Sequence, residues 1–148
     1  MVDVNHKNES ERNRYLEKII ASGDAQTLVE IAQSISSELV QNKAENSVST
    51  SQIRNIYGSC KKIEMKLNVN NINESFRSLY LLIPKLEYAN GRFNTKDKSG
   101  KDKIPGFRIL VDWLTDAIKK AGSDLTKMNN FFNFFEAILA YHKAKGGK

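Results

Sequence analysis

A chain of 148 residues with 40% hydrophobic side chains is long enough for one packed domain and too apolar for global disorder. No apolar run approaches the ~20 residues needed to cross a bilayer, and the single cysteine, Cys60, excludes an internal disulfide or a cysteine-based zinc cluster. The net charge of +6 is uneven, with 5 Lys/Arg against 8 Asp/Glu in residues 1–48 and 7 against 3 in residues 53–92, so a basic body follows an acidic first third.

Residues 1–10 are polar and read as a flexible N-terminus without an apolar signal segment, which leads to an expected cytoplasmic location and no membrane partner. Residues 8–21 read as a first helix, with Tyr15, Leu16, Ile19 and Ile20 at helical spacing. Gly23 stops it, since glycine takes the left-handed conformation that commonly ends helices. Asp24 caps a second helix with the stripe Leu28, Ile31, Ala32, Ile35, Leu39 and Val40. Residues 42–49 form a polar linker. Thr50 or Ser51 starts a third helix whose apolar face is Ile53, Ile56, Tyr57, Cys60, Ile63 and Leu67, which makes Cys60 a buried small hydrophobe.

After a turn at residues 68–71, a fourth helix begins at Ile72 or Asn73 and turns Phe76, Leu79, Leu82, Ile83 and Leu86 inward. Pro84 lacks a donor and its ring clashes with the carbonyl of Tyr80, so a kink or break is expected there, and Asn90-Gly91 predicts the end. Residues 93–104 read as a lysine-rich mobile loop. Pro105 suits the first turn of a fifth helix carrying Phe107, Ile109, Leu110, Trp113, Leu114 and Ile118. Gly122 closes it, and Ser123 or Asp124 caps the last helix, residues 124–145.

That last helix holds four of the chain's seven Phe residues. Its apolar arc is Leu125, Met128, Phe131, Phe132, Phe135, Ile138, Leu139 and His142, widened by Phe134 and Tyr141. Such an arc makes either a central core helix alone or a core helix whose flank, Phe134 and Tyr141, faces another subunit. Nothing alternates like a strand. The expected fold is all-α: a single helical domain over residues 1–148, compact to elongated, of five or six helices, with helix four kinked or broken at Pro84.

Catalytic signals are sparse. His6 and His142 lack ligand spacing, and His142 continues the inward stripe, so no metal site is expected. There is no glycine-rich phosphate loop after a strand and no nucleophile elbow. Asp112 and Asp116, at i and i+4, either hold magnesium or pair with cations such as Lys119 and Lys120. No convergent set of tuned groups assembles, so neither an enzyme nor a cofactor is expected.

Binding signals are better represented. Arg54 and Lys61 lie one heptad apart with Gly58 between them, and a missing side chain there lets a sugar–phosphate strand approach the helix. The alternative is that Gly58 accommodates packing and the cations are a solvated face. Lys62 and Lys66 extend the charge. Lys85 at the proline kink and Arg92 past the glycine stop project from one corner, although a cation near a helix C-terminus also complements the helix dipole.

Three local runs carry a resemblance: TSQIR at residues 50–54, PKLEYANGR at 84–92 and FFEAILAYHK at 134–143. In order, spacing and total length the chain resembles the small helical subunit of type III-A CRISPR effector (Csm) complexes, from about residue 50 to the end. The first 48 residues share only helical character. The resemblance implies a non-catalytic, multi-copy subunit stacked as the inner filament beside a backbone filament that holds guide RNA. Its partners would be guide and target RNA, neighbouring copies of itself, and the backbone-filament and large subunits. By the same resemblance Gln52, Arg54, Lys85 and Arg92 would contact the RNA backbone, while charge placement adds Lys61. The competing reading is a purely protein–protein scaffold with incidental basic charge.

Overall fold

Side-chain caps fix where most helices begin in the computed structural model, which describes residues 2–5, 7–40 and 47–147. Asn8 accepts the Glu11 N–H at 2.8 Å ahead of α1 (Glu9–Leu16), and Asp24 accepts from Gln26 and Thr27 ahead of α2 (Ala25–Leu39). Ser49 and Gln52 form a reciprocal capping box that opens α3 (Thr50–Lys66). Pro105 is the first residue of α6 (Pro105–Ala121), where its missing N–H costs nothing, and Asp124 caps α7 (Leu125–Ala144). Gly23 (φ 67°) and Gly122 (φ 57°) end the preceding segments in backbone conformations that L side chains rarely adopt. Of the expected linker, residues 42–46 lie outside the described residues, as does His6.

α1 continues into a π turn, Glu17–Ala21, in which the Ser22 N–H reaches the Glu17 carbonyl at 3.0 Å. The Ile20 carbonyl accepts from Asn130 Nδ2 of α7 at 2.8 Å, which ties the turn to the last helix.

α4 (Ile72–Tyr80) and α5 (Leu82–Phe93) are the two arms of the expected bent helix. The break lies at Leu81, three residues ahead of Pro84, because a proline inside the first turn of a new helix forfeits no hydrogen bond. Asn90-Gly91 does not end the helix, contrary to expectation: α5 runs on to Phe93. Gly91 keeps negative φ, and the stop comes at buried Asn94, whose Oδ1 accepts the Ile104 N–H at 2.7 Å. Between them, Asp97 accepts from the backbone N–H of Ser99 and of Lys101, and Lys96 pairs with Asp102.

The described residues are all-α, 74% helical with no strand, a bundle of six helices when the bent one is counted once. α7 lies at the centre, packed against α2, α3, α6 and the π turn. Trp113, Phe107, Phe131, Phe134 and Phe135 are fully buried there, joined by Leu16, Ile19 and Ile20 from the first helix. Cys60 is buried as expected, and desolvation pushes its thiol up to about 12. His142 is a core histidine, its Nε2 2.8 Å from the Val48 carbonyl oxygen, with Gly147 packed so tightly on the ring that a Cβ would collide with it. Among the described residues no helix is long and apolar enough to cross a membrane.

Candidate nucleic-acid interface

α3 turns Ile53 and Cys60 into the core and half-buries Ile56, Tyr57 and Ile63, so its opposite face carries Arg54, Lys61, Lys62 and Lys66, all exposed. Arg54 has no carboxylate partner among the described residues. Lys61 does: its Nζ lies 2.9 Å from Glu64 Oε1, and that hydrogen bond holds the ammonium above its ordinary pKa. Lys61 is therefore a partly neutralised cation rather than a free one. A Cβ built at Gly58 meets nothing within 4 Å, so the chain's own packing does not require glycine there. The surface between Arg54 and Lys61 is open.

Gln52 is half-buried and its side-chain oxygen accepts the Ser49 N–H at 2.8 Å, while its own N–H is bound by Ser49 Oγ at 3.1 Å. Its carbonyl is thus committed to starting α3, and only its amide NH2 remains to donate outward. Lys62 and Lys66 line a small groove against α4, together with Asn71, Glu74 and Ser78.

On α5, Leu82 and Leu86 face inward, and Lys85, Tyr88 and Arg92 share the exposed face at i, i+3 and i+7. Tyr88 is 68% exposed. The one acid of the helix, Glu87, is turned towards α6, where Arg108 takes both its oxygens at 3.1 and 2.8 Å and holds the carboxyl below its ordinary range. Lys85 has no carboxylate partner among the described residues. Arg92 sits in the last turn of α5 with its guanidinium 5.5 Å from the Phe93 ring centroid, so it lies within the helix and not past a stop. α3 packs against both α4 and α5, which makes the helices bearing Arg54, Lys85 and Arg92 neighbours. Sequence reading passed over Tyr88; its spacing from Lys85 and Arg92 on a polar face was the available signal.

The paired carboxylates of α6 are held by arginines and not by Lys119 or Lys120. Asp116 is buried and bonded to Arg12 Nε at 2.6 Å, and Asp112 lies 3.0 Å from Arg108. Burial pushes the Asp112 carboxyl above its usual range, against the pull of Arg108. Lys120 pairs instead with Glu17 at 3.1 Å. Among the described residues no group of three or more His, Cys, Asp or Glu side chains could hold a metal ion.

Phe134 is 0% exposed, so its ring belongs to the chain's own core and offers no surface to another subunit. The flank predicted there is closed at Phe134, because α2, α3 and α6 surround α7 on several sides. Tyr141 is half-buried against the core.

Among protein families, the Csm2 Type III-A model matches residues 22–148. Neither the curated proteins nor the solved structures provide a match.

Proposed function

This chain belongs to the Csm2 Type III-A family and is a small subunit of the type III-A CRISPR complex; from that premise we propose that it binds the guide–target RNA by its backbone, without catalysis and without sequence preference. The observation that carries this reading is the state of the charges on α3 and α5. Arg54, Lys85 and Arg92 are exposed and have no carboxylate partner among the described residues, while Glu64 on α3 and Glu87 on α5 are occupied by Lys61 and Arg108. A surface in which acids are sequestered and cations are left free attracts a polyanion.

Base pairing already supplies sequence recognition in a guided complex, so a small subunit needs only phosphate contacts, which carry no sequence information. Arg54, Lys85 and Arg92 supply the charge, Gln52 donates from its free amide, and Lys61 contributes after partial neutralisation by Glu64. Stacked copies along an inner filament, beside the backbone-filament and large subunits, add such contacts by avidity, so one isolated subunit binds weakly. Gly58 lets the strand approach between Arg54 and Lys61.

The test is the double variant Arg54→Glu with Lys85→Glu in the reconstituted complex. Target RNA retention should fall at least tenfold for every target sequence while assembly survives, and the loss should shrink as salt is raised. Unchanged retention sinks the proposal.

A protein–protein scaffold is the second reading, favoured by Met65 in the last turn of α3 and Val69 in the turn that follows, which are 77% and 69% exposed. Under it the charge reversals leave RNA affinity alone, whereas Met65→Asp or Tyr141→Ala disperses the complex.

A further inference from the structure

The outer face of α5 carries a feature that phosphate binding does not use. Tyr88 is 68% exposed, midway between Lys85 and Arg92 on one helix face. The two cations are separated by about 10 Å along the axis at ~1.5 Å per residue. No aromatic partner and no side-chain hydrogen bond engages Tyr88 among the described residues, unlike Tyr15, Tyr57 and Tyr80, whose rings pack on Trp113, Phe135 and Phe76. Gly91, three residues on, places no side chain beside the ring, and a Cβ there would meet nothing within 4 Å. Glu87, the nearest acid in sequence, is drawn off to Arg108.

We propose that Tyr88 is a stacking platform for an unpaired RNA base, with Lys85 and Arg92 holding the phosphates on either side of it. This rests on the reading of α5 as an RNA-facing surface and adds the kind of RNA it meets there. In an A-form duplex the base faces are stacked inside and out of reach of a side chain, whereas unpaired bases splay out onto aromatic rings. An aromatic ring flanked by two cations is the arrangement of sequence-tolerant single-strand binding, where every base has a π-face to stack. A duplex-facing helix could use the Tyr88 hydroxyl on a phosphate or 2′-OH but has no use for the exposed face of the ring. A cation pair with a small residue between them would serve it as well.

The experiment uses the full chain at low salt, where weak electrostatic binding is strongest. Fluorescence anisotropy compares a labelled uridine-rich single strand of about a dozen nucleotides, within the usual site size, with the same strand fully paired. The single strand should bind more tightly. Tyr88→Ala should weaken it about tenfold and leave the duplex and the salt slope unchanged, while Tyr88→Phe keeps wild-type affinity. Lys85→Gln with Arg92→Gln should instead reduce the salt slope for both RNAs. If Tyr88→Ala binds the single strand normally while the charge variant does not, the stacking proposal fails and backbone binding stands. If Tyr88→Ala leaves RNA binding intact but loosens the assembled complex, the ring is a protein contact and the proposal fails. If neither RNA binds wild type even at low salt, the stacking proposal fails, while backbone binding by stacked copies is decided by the Arg54→Glu with Lys85→Glu complex.

Discussion

Desolvation at Cys60 raises its thiol to about 12, against an ordinary value of 9.0, and the thiolate is the form that attacks electrophiles. Native protein at pH 8 should therefore react with an alkylating reagent only as fast as it unfolds, while urea-unfolded protein reacts at once. Rapid labelling of the folded chain would show that α3 does not bury this face. The sign of the pH effect follows from the same shift. Below pH 9 the thiol is neutral in both states; above it the unfolded chain ionises first, so Cys60 makes stability fall with pH between about 9 and 12, and Cys60→Ala should flatten that fall. Gly58 is the complementary case, a helix-interior residue with open space around it. Gly58→Ala should raise stability by ~0.5–1 kcal/mol, since glycine gives up more chain entropy in a helix than alanine does. Gly58→Gln keeps the fold but fills the gap between Arg54 and Lys61, and target RNA retention by the complex should drop severalfold. A variant that is more stable and binds as well as wild type removes the close-approach role.

At the element scale, the start of α3 separates two roles of Gln52. Gln52→Ala breaks the capping box and should cost ~0.5–1 kcal/mol in thermal or urea unfolding. Gln52→Glu keeps the reciprocal bond to the Ser49 N–H and suits the helix dipole, so stability should hold while the added negative charge weakens RNA retention. If both variants bind RNA as wild type does, Gln52 is a cap and nothing more. The same helix start explains how much of the fold was legible in the sequence. Caps are local chemistry, so Asp24, Pro105 and Asp124 announce their helices, and period-3.6 stripes announce the core. Where a tertiary contact decides, local reading misplaces the boundary. Asn90-Gly91 looks like a terminus, yet α5 continues until the Asn94 side chain meets Ile104, ten residues on. Pro84 looks like the break, yet the break precedes it at Leu81. For the site, the exposure of Arg54, Lys85 and Arg92 could be read from helix faces. The arginine partners of Glu87 and Asp116 could not, because they lie 21 and 104 residues away.

Across the whole molecule, the family match begins at residue 22, but the core does not. Leu16, Ile19 and Ile20 are 0% exposed, and Arg12 reaches across to buried Asp116 on α6 at 2.6 Å. The side chains of that pair are only 15% and 9% exposed, so it is shielded from water and from salt. Removing one partner leaves the other charge desolvated and alone, which costs more than the pair itself contributes: Arg12→Met should destabilise by ~3–5 kcal/mol in urea unfolding. The double variant Arg12→Met with Asp116→Leu removes both charges and should recover most of that loss, because well-packed apolar groups replace a buried pair at little cost. A single-variant loss below ~1 kcal/mol would mean that α1 is held by apolar packing alone and the pair behaves as a surface one. α6 carries both Asp116 and Arg108, the residue that draws Glu87 away from the outer face of α5. Arg12→Met should therefore cost stability without changing RNA retention at temperatures where the fold persists, whereas Arg108→Met leaves Glu87 an unpaired negative charge on α5 and should weaken retention with a smaller stability cost. Measuring both variants by unfolding and by RNA retention separates the charge network that holds the bundle from the one that keeps its basic face free of acids.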